Sequence, residues 1–253
     1  MNQPPLAQLL YVVQVVALAA LCVRILWTRL YRVYKYFFVY LLLVLLQAAV
    51  GLFVPIRSTL YLYIWMASEA LVVVFYSLVV LETYAIILRD LPGIATVARQ
   101  YMRIAIGCAM TVSLLLVRLE RTPATIPQYF LICERAVISS LLVFVLLSVA
   151  FLVYYPLPLT RNAVIYSAGF AVYFLAKSIA LFVANLRYYL WHQVDMGLLV
   201  VSVACLLFWV ITLSNAGEVK TVVVGHRWDI QDEERIVSRL KAINESLLRT
   251  AKK

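Results

Sequence analysis

Five charged side chains stand within long apolar stretches of this sequence, where a charge is costly unless it is paired or hydrated. They are Glu69, Glu82, Glu134, Arg135 and Lys177. Such charges either hold helices in register as ion pairs or form a site for an ion or a polar solute. They are therefore the candidates for chemistry in this chain, and the apolar stretches around them decide whether they can meet.

The composition indicates an integral membrane protein. Of 253 residues, 65% are hydrophobic and 13% are charged, and the mean hydropathy is +0.96. Apolar runs recur from one end of the chain to the other, which no soluble core requires. We therefore predict an all-α fold, a polytopic bundle of membrane-spanning helices.

Seven stretches are long enough to cross a hydrocarbon core of about 30 Å, which takes roughly 20 apolar residues in a helix. In the fourth, only fourteen residues separate Arg103 from Arg118, so both arginines must extend toward the headgroups for it to span. The seven predicted spans are Leu6 to Trp27, Phe37 to Val54, Leu60 to Leu88, Tyr101 to Val117, Gln128 to Tyr155, Ala163 to Asn185 and Met196 to Ser214.

The distribution of Lys and Arg predicts the orientation of these spans. With the N-terminus outside and the C-terminus in the cytoplasm, sixteen of the 22 Lys and Arg residues face the cytoplasm and four face outside. Contact with anionic lipid then explains the net charge of +10, so no nucleic-acid partner is predicted. We expect a seven-helix transmembrane domain over residues 1–215 and a cytoplasmic tail over residues 216–253.

Three of the five charges fall at a similar predicted depth. At 1.5 Å per helical residue, Glu69 lies roughly 13 Å, Glu134 roughly 9 Å and Lys177 roughly 12 Å below the outer ends of their spans. Glu134 and Arg135 are about 100° apart around their helix, so they cannot readily pair with each other. We predict a network across three helices, in which Lys177 and Arg135 neutralise Glu69 and Glu134.

Two interpretations of this network stay open. Buried ion pairs can fix the register of helices and do nothing else, or the charges can line a pocket for a ligand or ion that opens to the outside. Glu82 is different, because it lies near the inner end of its span, one or two turns before Arg89. We expect Glu82 to pair with the basic cytoplasmic loops.

The tail contains a predicted amphipathic helix. Its first turn follows Asp229 and is acidic, and its end is basic, which matches the helix dipole. This helix lies against the membrane or the bundle's own inner loops, or it docks a cytoplasmic or membrane protein partner. The apolar face that would dock such a partner is Ile236, Leu240, Ile243 and Leu247.

Residue types that enzymes need are scarce in this chain. The two histidines are His192 and His226, and neither falls within a predicted span, so an intramembrane metal site lacks its usual ligands. The four cysteines form no CxxC pair, and there is no glycine-rich phosphate loop. We therefore predict no catalytic residues, no metal, no cofactor and no enzymatic activity.

Four stretches of the chain carry a resemblance to a known group. They are LYRVYKYFFVYLL, SEALVVVFYSLVVLE, ERAVISSLLVFVLL and VVVGHRWDIQDEERIVSRLKAINESLLR. They resemble uncharacterised bacterial seven-helix integral membrane proteins, which have a YR-x-x-P-x-FF-like pattern. Lys35 stands here where that pattern has proline. The resemblance implies a seven-helix fold in the bacterial inner membrane and implies no activity.

Two functions follow as expectations. The first is a non-enzymatic signalling, sensory or complex-forming module, in which the helix bundle is coupled to a cytoplasmic partner through the tail. The alternative is a transporter of a small solute or ion that uses the intramembrane Glu, Lys and Arg residues as its site.

Overall fold

The computed structural model of the protein describes residues 5–53, 59–89, 91–94, 126–154, 157–186, 191–224 and 230–251, with isolated positions from 96 to 111. The fold of these residues is all-α, as predicted, apart from two short strands. The helices are α1 (Pro5–Trp27), a 3-10 turn (Leu30–Arg32), α2 (Lys35–Phe53), α3 (Thr59–Ile87), α4 (Ile126–Tyr154), α5 (Arg161–Leu186), α6 (Trp191–Thr212), α7 (Asn215–Val219) and α8 (Ile230–Ala251). The strands are β1 (Leu157–Thr160) and β2 (Thr221–Val224).

Five of the described helices, α1, α3, α4, α5 and α6, are long and apolar enough to cross a membrane. The apolar part of α2 is shorter and covers Lys35–Val50. Most of the predicted fourth span, Tyr101 to Val117, lies outside the described residues. The structure thus supports a helical membrane protein, while seven spans and their orientation stay predictions.

Within the described part of the chain, six long helices of the bundle form a closed ring. Each packs against the next in the order α1, α2, α3, α4, α5, α6 and back to α1, and α3 also touches α5 across the ring. Aromatic side chains fill the centre, where the rings of Phe37, Phe170 and Trp209 have centroids 4.9 to 5.4 Å apart. This contact order places α3, α4 and α5, which carry the predicted intramembrane site, side by side.

A glycine lets α5 and α6 approach closely. The indole of Trp209 lies directly against Gly169, and a Cβ atom at this glycine would be 2.6 Å from the indole Cε2 atom. That distance is too short for any carbon contact, so a side chain at position 169 would push the two helices apart or displace the indole.

The two strands close one end of the bundle, here called the tail end, where α1, α3, α4 and α6 finish and α2 and α5 begin. They pair antiparallel with Leu159 opposite Val222, and the N–H of Arg161 donates to the Lys220 carbonyl at 2.9 Å. The sequence analysis did not predict this sheet. Its partners are about 60 residues apart, so neither strand carries a local signal for the other.

Helix α8 lies against the tail end. Leu240 is 4% exposed in a cluster with Ile87 and Leu152, and the Asn244 side-chain oxygen accepts the N–H groups of Gly93, at 2.7 Å, and Ile94, at 3.2 Å. The predicted helix is therefore present, and it packs on its own bundle, one of the two interpretations left open.

The face predicted to dock a partner is divided in the structure. Leu240 is buried within the chain, Leu247 is half-buried, and Ile243 is 51% exposed. The side chain of Ile236 lies outside the described residues. Asn244, which the prediction did not include, shares the docked side with Leu240 because residues four apart lie one above the other on a helix.

Candidate functional site

The structure brings together Glu69 on α3, Glu134 on α4 and Lys177 on α5. The Lys177 ammonium donates a hydrogen bond to Glu69 Oε1 at 2.8 Å, and its Nζ atom lies 2.7 Å from Glu134 Oε1. Because both carboxylates contact one nitrogen atom, they are held next to each other. We call these three residues the charge cluster.

The charge cluster is buried and has two carboxyl groups for one ammonium group. The side chains are 13%, 3% and 7% exposed for Glu69, Glu134 and Lys177. Within the described part of the chain, Lys177 is the one cation that pairs with either carboxylate. Two ionised carboxylates with one ammonium leave one negative charge uncompensated, and such a charge is costly at this depth.

Glu134 holds the least satisfied oxygen of the cluster. Its Oε1 atom is close to the Lys177 ammonium, but the geometry of that approach does not suit a hydrogen bond, and no other donor reaches this buried atom in the described structure. The short contact therefore compensates its charge only in part. A proton, a cation or a solute that donates a hydrogen bond would complete it.

Arg135 does not join the charge cluster, so the prediction that it neutralises Glu69 or Glu134 is wrong for the described structure. Its guanidinium group lies 6.0 Å from the ring centroid of Phe182 on the neighbouring helix. The 100° step between consecutive helical residues directs the two side chains to different neighbours. A cation over an aromatic face gains a modest attraction, about 0.5–1 kcal/mol at exposed sites.

Neutral hydrogen-bonding groups surround the cluster. Lys177 also donates to the Tyr76 hydroxyl at 3.4 Å and lies 4.8 Å from that ring's centroid, and the hydroxyls of Tyr76 and Tyr173 are 2.7 Å apart. Gln47 on α2 donates to Glu69 Oε2 at 3.2 Å. The two tyrosines were missed, although helical spacing could have found them. Tyr173 precedes Lys177 by four residues, and Tyr76 follows Glu69 by seven.

A cavity of about 170 Å³ lies beside Glu69 and Lys177. At about 30 Å³ per water molecule, it has room for about five waters or a small solute. One wall is a hydrogen-bonded pair, since the Gln14 amide of α1 donates to the Ser202 hydroxyl of α6 at 3.2 Å. The polar lining residues are Gln14, Tyr40, Gln47, Glu69, Tyr76, Tyr173, Lys177 and Ser202.

Glu82 lies about 20 Å from Glu69 along α3, at the tail end. Its carboxylate accepts the backbone N–H groups of Tyr36, at 3.0 Å, and Phe37, at 3.2 Å, and the Tyr166 hydroxyl at 3.3 Å. The expected pairing with basic side chains of the inner loops is therefore wrong among the described residues. The carboxylate caps the N-terminus of α2, where a negative charge also interacts favourably with the helix dipole.

A second hydrogen-bonded group lies between the 3-10 turn, α5 and α7. Glu218 Oε1 accepts the Tyr34 hydroxyl at 2.7 Å and the Asn162 amide at 2.9 Å. Burial and then the nearby Glu218 carboxylate raise the pKa of Tyr34 well above its usual value, so this phenol stays protonated and donates. The hydrogen bonds of Glu218 with Tyr34 and Asn162 thus connect the tail to the bundle.

No group of three or more His, Cys, Asp or Glu residues with metal-binding geometry occurs among the residues that the structure describes. The contacts within the charge cluster are charge pairing and hydrogen bonding. A small polar or cationic species suits the charge cluster better than an anion does, because the cluster has two carboxyl groups for one ammonium group.

Comparisons with protein-family models, with curated proteins and with solved structures find no match for this chain. The resemblance to bacterial seven-helix membrane proteins therefore stays a prediction, and the arguments for function rest on the geometry of the chain itself.

Proposed function

We propose that this protein binds and transports a small, positively charged solute or ion at the charge cluster. The observation that carries the proposal is the single ammonium of Lys177 between two buried carboxylates. A pair that only holds helices in register needs one carboxylate for one ammonium. Here a second carboxylate leaves a negative charge that a bound cation can compensate.

The cavity supports a binding role over a purely structural one. An ion pair that is only structural is packed closely on all sides. Glu69 and Lys177 instead line a cavity of about 170 Å³. Amide and hydroxyl groups from α1, α2, α3, α5 and α6 line this space. A few convergent polar groups in a mainly apolar surrounding are typical of small-molecule sites.

The proposal places the protein in the bacterial inner membrane with seven spans, the N-terminus outside and the tail end in the cytoplasm. The excess of Lys and Arg in the segments at the tail end supports this orientation. The charge cluster then lies in the outer half of the bilayer, roughly 12 to 15 Å from the outer ends of α3, α4 and α5. No enzymatic step and no cofactor form part of the proposal.

Flux into liposomes tests the proposal. Wild-type protein should take up at least one member of a panel of monovalent cations and small amines. Glu69→Gln and Glu134→Gln should abolish this uptake, and Arg135→Gln, which removes a charge outside the cluster, should retain it. The absence of wild-type uptake across the panel, or equal uptake by Glu69→Gln, would rule the proposal out.

A signalling or complex-forming module is the second candidate. The observation in its favour is the position of α8, which is held on the tail end by Leu240 and Asn244 while Ile243 stays exposed. In this orientation a charged helix faces the cytoplasm and is available to a protein partner. Deletion of residues 226–253 should then remove co-purifying proteins, and an unchanged set of partners would exclude this candidate.

A further inference from the structure

We propose that the groove at the tail end binds an anionic phospholipid, with the phosphate held by Arg32, Lys35 and Arg89. The groove has a volume of about 810 Å³ and lies between the start of α2, the end of α3 and the two strands. This volume is within the range of about 300–1,000 Å³ that is usual for small-molecule sites. The proposed lipid site is separate from the charge cluster.

The basic groups of the groove are available to an external anion. Arg32, Lys35 and Arg89 come from three different elements, and all three side chains are exposed. Among the described residues, no carboxylate forms an ion pair with any of them. Arginine and lysine together suit a phosphate group, since arginine offers a planar fork of donors and lysine a compact charge.

The acidic groups of the same groove are already engaged by the protein. Glu82 accepts two backbone N–H groups of α2 and the Tyr166 hydroxyl. Glu218 accepts the Tyr34 hydroxyl and the Asn162 amide. These carboxylates are held by internal donors, and because three exposed cations stand against two carboxylates the groove has a net positive charge.

The shape of the lining distinguishes a lipid from a soluble phosphate. Along α3 the lining runs from Ile87 through Leu81 to Leu78, and Arg89 follows in the turn after the helix. The helical part of this lining extends for about 13 Å from the end of α3 toward the middle of the bundle. The groove is thus basic at its membrane-surface end and apolar at its deeper end. A phospholipid has the same order of groups, a charged head followed by acyl chains, and basic pockets between helices are known to bind such heads.

Native mass spectrometry of the purified full-length protein tests this site. The protein is titrated with phosphatidylglycerol and, separately, with phosphatidylcholine of the same acyl chains. We expect tight retention of one phosphatidylglycerol and weaker retention of phosphatidylcholine. The variant Arg32→Gln/Lys35→Gln/Arg89→Gln should lose about 100-fold in apparent affinity, at roughly fivefold for each basic group removed.

The matched control removes three positive charges from α8. Arg239, Lys241 and Arg249 are exposed there, and the variant Arg239→Gln/Lys241→Gln/Arg249→Gln should bind phosphatidylglycerol as the wild type does. Glycerol 3-phosphate, which has the phosphate head but no acyl chains, should compete only weakly with phosphatidylglycerol for the groove.

Three outcomes would overturn the proposal. The first is equal binding of both lipids by the wild type, and the second is an equal loss in the groove and α8 variants. The third is full competition by glycerol 3-phosphate. Thermal unfolding without added lipid checks that the groove variant is folded. Failure of this site would leave the cation proposal unaffected, because the tests use different residues and ligands.

Discussion

Lys177 donates a hydrogen bond to Glu69 at 2.8 Å and so joins α5 to α3 across the ring of helices. Glu134 on α4 approaches the same ammonium to 2.7 Å. One ammonium group therefore contacts two carboxylates on two other helices. The cluster is a structural junction, and in our proposal it is also a site for a further positive charge; substitution can separate these two roles.

The first prediction concerns the stability of this junction. Lys177→Met leaves Glu69 and Glu134 adjacent, buried and without a counter-charge, so we expect a loss of about 3–5 kcal/mol in the free energy of unfolding. The triple variant Glu69→Gln/Glu134→Gln/Lys177→Met removes all three charges and should recover most of that loss. Unfolding in mixed detergent micelles measures both values. Equal stability of the single and triple variants would contradict the pairing.

The second prediction concerns the attachment of α8. Leu240→Asp places a charge in the apolar cluster with Ile87 and Leu152, so α8 should detach and its amide hydrogens should exchange faster. Ile243→Asp is the matched control, because that side chain is 51% exposed and should tolerate the same change. Hydrogen exchange followed by mass spectrometry compares the two. Equal protection of α8 in both variants would show that Leu240 does not hold the helix.

The third prediction concerns the close contact of α5 and α6. Gly169→Ala forces a methyl group onto the Trp209 indole, so we expect a destabilisation of about 1–3 kcal/mol. Gly197→Ala, on α6, is the control, since nothing lies within 4 Å of the added carbon there. Alanine is also the better helix former, by up to about 1 kcal/mol. The prediction fails if thermal unfolding ranks Gly169→Ala at or above Gly197→Ala.

The fourth prediction concerns stability at alkaline pH. The pKa of Tyr34 is raised by burial and by Glu218, so above the unfolded value of about 10 the folded protein keeps a proton that the unfolded chain releases. The stabilisation that this raised pKa provides is complete below the unfolded pKa of tyrosine. It decreases as the pH rises above that value. Above about pH 10, the unfolding free energy of Tyr34→Phe should therefore fall less steeply with pH than that of the wild type. The difference in slope is up to about 1.4 kcal/mol per pH unit.

Tyr63→Phe is the control for the alkaline measurement, because that side chain is 60% exposed. Its unfolding free energy should follow the wild-type pH profile. If the Tyr34→Phe profile also follows the wild type, the Tyr34 hydroxyl does not stabilise the folded state through its proton.

The level of the charge cluster and the pairing of Lys177 with carboxylates could be predicted from the sequence, whereas the exclusion of Arg135 could not. The constant helical rise converts residue number into depth, which is why Glu69, Glu134 and Lys177 were expected at one level. Which side of a helix faces which neighbour depends on packing around the whole ring. Arg135 illustrates this, since it has a suitable depth and charge but is directed to Phe182.

Contacts at the tail end were the least predictable. Glu82 binds backbone N–H groups of α2, and Asn244 binds those of Gly93 and Ile94. Backbone donors are present at every helix start, so no residue type in the sequence marks them as partners. The strand pair was missed for a similar reason, because each strand has only four residues and depends on its partner for hydrogen bonds.

The most direct test of the cation site is ligand-dependent stability of the full-length protein. Thermal unfolding is followed while a small monovalent cation or amine is added, with ionic strength held constant by a cation too bulky for the cavity. At 100 times its dissociation constant, a bound ligand adds about 2.7 kcal/mol to the wild type. We expect this stabilisation for the wild type and Arg135→Gln, and its loss in Glu69→Gln and Glu134→Gln. Equal stabilisation of all four proteins, or of none, would contradict it.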